Sequence, residues 1–236
     1  MEQSVSIITL PSLAIAFIPV VIVFIILIKW SISVRRASHA VIRMLVQLLL
    51  VGYCLGFIFS SNKIWLIGSV LVVMVLFSSW IALNNIQVPK KQLIGRAIFS
   101  ISVSGFLTLL VISQGVLTLT PWYHAQTLLP LAGMIFASCM NSISLSGERY
   151  FAELAREATY YNARNTAFSA AMIPNINALF AVGIVSLPGM MTGQIIAGVE
   201  PVIAARYQIM VMCMLFASGG ISAALFLMLI KDKKTR

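Results

Sequence analysis

Residues 97–147 read AIFSISVSGFLTLLVISQGVLTLTPWYHAQTLLPLAGMIFASCMNSISLSG, 51 positions without an Asp, Glu, Lys or Arg. A helix needs about 20 mostly apolar residues to cross a bilayer, so this stretch holds enough for two crossings. Pro121-Trp122-Tyr123-His124 stands near its middle and supplies the turn between them. Outward from it, residues 3–28, 44–62, 64–89, 165–199 and 207–230 are also free of charge. Together these windows predict about seven transmembrane helices, at roughly 7–28, 42–59, 64–83, 98–119, 128–145, 168–187 and 207–230. The expected fold is an all-α, polytopic membrane bundle forming a single transmembrane domain over 1–236. Segment 188–206 is glycine-rich and reads as a re-entrant or interfacial piece. The first span is preceded by Glu2, has a long apolar run and is followed by Lys29, which predicts a retained helix rather than a cleaved leader.

Composition agrees. Of 236 residues, 60% are hydrophobic and 9% charged, against about 25% charged in a soluble domain. Cys54, Cys139 and Cys213 are too few for a disulfide framework. The net charge of +10 does not point to nucleic acid, because the basic residues lie between uncharged stretches and not in one patch. Fourteen of the 16 fall in alternate loops: Lys29, Arg35, Arg36 and Arg43; Lys90, Lys91 and Arg96; Arg149, Arg156 and Arg164; Lys231, Lys233, Lys234 and Arg236. Only Lys63 and Arg206 fall on the other side. The positive-inside rule then predicts a cell-membrane protein with its N-terminus outside and its C-terminus in the cytoplasm.

No Gly-rich Walker loop is present, so no ATP is expected on this chain. No Ser/His/Asp set, HExxH or Cys-x-x-Cys pattern suggests catalysis, and the chain is not read as an enzyme. His39 and His124 fall in loops on opposite sides, so no metal-ligand set is identified. The 12 methionines offer thioethers, which bind soft metals but serve more often as core filler.

The hydrophilic segment 146–167 predicts a short amphipathic cytoplasmic helix. Glu153, Arg156 and Glu157 share a face, with Arg164 beyond, and Phe151, Leu154 and Ala158 form an apolar stripe. It reads either as a solvated connector or as a docking site for a cytosolic partner. Inside the spans, Gln47 lies one turn from Arg43, and Gly52 and Gly56 permit close helix approach. Asn141 lies among Ser138, Ser142 and Ser144, while Asn175 and Asn177 follow Pro174. Polar groups in lipid seek partners, so these either bond between helices or line a polar path. In Ser186-Leu187-Pro188-Gly189-Met190-Met191-Thr192-Gly193 a helix should break at Pro188 and Gly189. Gly189, Gly193 and Gly198 offer close backbone contact, and transporters use such breaks at substrate sites.

These residues carry a resemblance to a known family. Arg43-Met44-Leu45-Val46-Gln47-Leu48-Leu49-Leu50-Val51-Gly52-Tyr53 is one block, and Leu129-Pro130-Leu131-Ala132-Gly133-Met134-Ile135 with Asn141 is a second. The longest runs from Val182 through Met190-Met191-Thr192-Gly193 to Gly198, Pro201 and Arg206-Tyr207-Gln208-Ile209-Met210-Val211. The chain resembles the FetB/YbbM-type ABC-transporter permeases, an iron-export family with plant aluminium-tolerance relatives. The resemblance implies a permease subunit of an exporter for a metal ion such as iron. It would be energised by a separate cytosolic ABC ATPase and would work as a permease homodimer. Two features of the family pattern differ here. Its Leu-Gly-Ala turn before the sixth span is absent, and its Asp and Lys after an Ile-Pro pair correspond to Asn177 and Phe180. The implied translocation pathway comprises Gln47, Asn141, Asn175, Asn177, Ser186, Pro188, Gly189, Met190, Met191 and Gly193. ATPase docking falls to Glu153, Arg156, Glu157 and Arg164. A membrane scaffold or assembly protein without a transported solute is the alternative.

Overall fold

A computed structural model describes residues 9–61 and 63–231. Glu2, Lys233, Lys234 and Arg236 lie outside them. Among the described residues the regular structure is helical, apart from a lone bridge between Val182 and Ser186. The chain divides into two compact units, Met1–Ser61 and Asn62–Arg236.

The first unit contains α1 (Leu10–Ile15), α2 (Ile18–Lys29) and α3 (Val34–Ser61). Thr9 caps α1, its Oγ1 accepting from the Ser12 amide at 3.4 Å. The break before α2 follows from Pro19, which cannot donate to the carbonyl four residues back. Residues 11–29 still form one apolar stretch long enough to span. Apolar side chains project on every side: Leu49 is 68% exposed and Tyr53 85%. Helices apolar all round belong in lipid or inside a larger assembly.

The second unit contains α4 (Ile64–Ala82), a 3₁₀ turn (Leu83–Asn85), α5 (Lys90–Leu110) continued by a π-helical turn (Val111–Val116), and α6 (Ala125–Leu154). Then come α7 (Tyr160–Ala181), α8 (Gly189–Ile196) and α9 (Pro201–Leu229). The turn expected at Pro121–His124 separates α5 from α6. The central helix is α6, packed against α4, α5, α7 and α9. Among the described residues six stretches are long and apolar enough to cross a membrane. The remaining expected span is α7; it has 22 residues but carries Asn162, Arg164, Asn165, Asn175 and Asn177, and is held between α6 and α9. It stops at Ala181 and not at 187, because the chain turns through Gly183 at φ +85°, whose amide donates to the Ser186 carbonyl at 3.0 Å.

Water-driven burial is absent between helices in lipid, so close packing by small residues takes over. Ser104 Oγ donates to the Ser218 carbonyl and Ser138 Oγ to that of Leu215, both at 2.8 Å. A Cβ on Gly105 would lie 2.5 Å from Phe136 Cε1, and one on Gly147 would strike Ile86. The close approaches thus occur at α5–α6 and beside α6. The glycines expected to make them do not: a Cβ on Gly52, Gly56, Gly189, Gly193 or Gly198 meets nothing within 4 Å. Gly198 serves instead for its backbone, at φ +90°.

Segment 146–167 is a correction to the sequence reading. It is no separate helix but the tip of a hairpin, with α6 continuing to Leu154 and α7 starting at Tyr160. The charged residues that suggested a new element simply extend the helices beyond the apolar span.

Candidate functional site

Asn141 lies three residues after Ser138, and Ser142 four, so all three occupy one face of α6. Opposite them, Asn175 on α7 donates from Nδ2 to Ser142 Oγ at 3.2 Å. From α9, Gly219 lets this group close up. Its would-be Cβ is 2.7 Å from Ser142 Oγ, 2.8 Å from Ser138 Oγ and 3.1 Å from Asn175 Nδ2. The result is a polar cradle opening into a cavity of about 340 Å³, lined also by Met134, Pro174 and Leu215. Ser138–Ser142 fall at the middle of the 30-residue α6, and Leu215 at the middle of the 29-residue α9. In a bilayer the cradle therefore lies within the apolar span.

A second cavity of about 510 Å³ lies along α6 toward its N-terminus, lined by Gln126, Met134, Met190, Gln194, Tyr207 and Met210 among others. Met134 lines both, so the two are neighbours. Three thioethers face the second cavity, and the buried Gln194 Oε1 has no hydrogen-bond donor among the described residues. Met190 is placed there because Pro188 starts the short α8, where Thr192 Oγ1 donates to the Pro188 carbonyl at 3.2 Å.

Of the residues expected on a pathway, Asn141 and Asn175 meet in the first cavity and Met190 joins the second. Asn177 does not: two residues beyond Asn175 is about 200° of helical rotation, and its side chain is exposed outside both cavities. Ser186 belongs to the turn after α7. Gly189 and Gly193 are exposed, Pro188 and Met191 are half-buried, and none of these five lines either cavity. Gln47 is exposed on α3, in the other unit. Met134, Gln126, Gln194, Tyr207 and Gly219 were not anticipated. For Met134 the signal was there, since Met134, Ser138, Asn141 and Ser142 form a stripe at helical spacing.

At the hairpin tip the turn is made without glycine, and Glu157 takes a left-handed conformation at φ +61°. Glu153 pairs with Arg149 at 2.7 Å and with Arg156 at 3.8 Å; the Arg156 side chain is 72% exposed. Thr159 caps α7, accepting from the Asn162 amide at 3.5 Å. The tip is anchored by Tyr150 and Tyr160, both buried, their rings edge-to-face at 6.2 Å. Tyr160 Oη donates to the Leu227 carbonyl of α9 at 3.4 Å. Arg164 stands apart from the other three docking candidates, donating to the side-chain Oδ1 of Asn165 and facing α9. Among the described residues no group of three or more His, Cys, Asp or Glu could hold a metal ion.

The family described as "Uncharacterised protein family (UPF0014)" matches residues 10–234. The "UPF0014 membrane protein slr1647" of Synechocystis is 35% identical over 76% of this chain and 75% of its own length. The "Probable iron export permease protein FetB" of Escherichia coli K12 is 35% identical over 91% of this chain and 88% of its own. "Protein ALUMINUM SENSITIVE 3" of Arabidopsis thaliana is 27% identical over 78% and 72% respectively. No solved structure matches the chain.

Proposed function

Given that the chain belongs to the UPF0014 family of multi-pass membrane proteins, we propose that it is the membrane-spanning permease subunit of an ABC exporter. The observation that carries this reading is the polar cradle within the apolar span of α6 and the neighbouring cavity that shares Met134 with it. Together they outline a route along α6. Polar groups within a membrane span are costly unless partnered or lining a path. The relative named as a probable iron export permease supports a metal ion as cargo. Such an ion would meet amide and hydroxyl oxygens in the cradle and thioethers beyond it, since no carboxylate among the described residues lines either cavity.

Energy would come from a separate cytosolic ATPase pressing on the hairpin tip at Glu153, Arg156 and Glu157. Tyr160 ties that tip to α9 and begins α7, the helix that bears Asn175. Displacing α7 changes the Asn175–Ser142 contact, and Pro174 just before it weakens the helical ladder there. In this reading the N-terminus is outside, the C-terminus is cytoplasmic, and two permease copies work together.

The test is transport by proteoliposomes containing the chain and its co-expressed ATPase. Reversing the exposed charges, Arg156→Glu with Glu157→Lys, should abolish co-purification of the ATPase while the protein still inserts. Asn141→Leu with Asn175→Leu should abolish transport while co-purification persists. Retained co-purification in the first variant, or retained transport in the second, overturns the reading. No transport by the unaltered pair would favour a membrane scaffold.

A further inference from the structure

The face between α7 and α9, away from the cradle, holds two adjoining hollows that the pathway does not use. One, of about 250 Å³, is lined by Arg164, Asn165, Phe168, Ala224, Leu227 and Met228. The other, of about 690 Å³, shares Asn165 and Phe168 with it and continues past Met172, Ile176, Phe216 and Gly220. Together they form one groove, cationic at one end and apolar along its length. Gly220 keeps its floor low: its would-be Cβ has Met172 alone near it, at 3.5 Å.

The cationic end is built from two charges on one aromatic pair. Arg164 Cζ lies 5.4 Å from the Tyr161 ring centre and 5.8 Å from that of Tyr160. Lys231 Nζ lies 5.0 Å from Tyr160 and 5.7 Å from Tyr161. Neither cation has a carboxylate partner among the described residues. Lys231 lines neither hollow itself, but both cations stand over the same two rings at the Arg164 end, and an anionic group there is attracted by both. Length fits as well. From Arg164 to Ile176 the helical rise covers about 18 Å, close to the roughly 15 Å hydrocarbon depth of one leaflet.

We propose that this groove is a binding site for one anionic phospholipid, its phosphate held by Arg164 and Lys231 and an acyl chain lying along Phe168, Met172 and Ile176. The occupant is fixed by the charge at one end and by the match to one leaflet. Basic pockets between membrane helices bind anionic headgroups in this way. The proposal stands independently of whether the chain transports anything.

The experiment uses the full chain, purified in detergent and incubated with phosphatidylglycerol or phosphatidylcholine, with bound lipid counted by native mass spectrometry. At about 1 kcal/mol per basic residue, phosphatidylglycerol should be preferred by about ten- to thirty-fold, one molecule per chain. Millimolar inorganic phosphate should not displace it. Arg164→Gln with Lys231→Gln should bring the preference to within about two-fold. Ile173→Gln, at an exposed groove position, should weaken both lipids while leaving the headgroup preference. The proposal is overturned by equal retention of the two lipids, by a preference that survives the double variant, or by displacement with inorganic phosphate. It is also overturned if the unaltered chain is a dimer that excludes lipid from the groove.

Discussion

Gly219→Ala is the sharpest probe of the cradle. The new methyl would sit 2.7 Å from Ser142 Oγ and 2.8 Å from Ser138 Oγ, well inside van der Waals contact, and 3.1 Å from Asn175 Nδ2. Both hydroxyls must move. Moving Ser138 breaks its 2.8 Å bond to the Leu215 carbonyl, and moving Ser142 breaks the 3.2 Å bond from Asn175. Two hydrogen bonds contribute about 0.5–1.5 kcal/mol each, and overpacking costs about 1–3 kcal/mol. Against this, Ala gains about 1 kcal/mol over Gly in helix propensity. The net loss is about 1–5 kcal/mol, or roughly 2–20 °C in the midpoint of a thermal melt in detergent. The steric cause is separable from mere loss of a glycine. In a Ser138→Ala, Ser142→Ala background the oxygens in the way are gone, so at least about half the loss should disappear in a double-mutant cycle. A Gly219→Ala protein as stable as its parent, or a loss fully additive with the serine changes, would refute the cradle geometry.

Two further outcomes can be read in the same melts. Glu157→Gly relieves a left-handed conformation that costs an L-residue about 1–2 kcal/mol; part is offset by the entropy of glycine in the unfolded chain. The variant should match or exceed the parent and protect the 155–159 turn from proteolysis, and a less stable protein would contradict the assigned turn. Asn175→Leu deprives Ser142 of its donor and should destabilise by about 1–2 kcal/mol, whereas Asn177→Leu on the exposed face should stay within about 0.5 kcal/mol; equal effects would place both asparagines on one face.

The helical class and most spans were legible because a bilayer imposes a length, and charge-free windows measure that length directly; among the described residues six of the seven expected spans are long and apolar enough, α7 being the exception. Helix ends were not, since a helix backbone continues through charged residues once it leaves lipid. Thus α3 begins at Val34, ahead of Arg35, Arg36 and Arg43, and α6 runs on through Arg149 and Glu153. Cutting at the first charge shortened both and turned the end of α6 into an apparent separate element.

The candidate site was legible only where one helix carries the whole signal. Asn141 stood out beside Ser138 and Ser142 because spacing along α6 places them together whatever else packs nearby. Asn175 and Asn177 looked equivalent, since both follow Pro174 and nothing local distinguishes them. What selects Asn175 is Ser142 on a neighbouring helix, 33 residues away. Glycine was misleading for the same reason. A Gly-xxx-Gly pattern says that a close approach is possible, but only a facing helix makes it real. Among the described residues nothing lies within 4 Å of a Cβ on Gly52 or Gly56, while the single Gly219 has two hydroxyls and an amide within 3.1 Å of where its side chain would be.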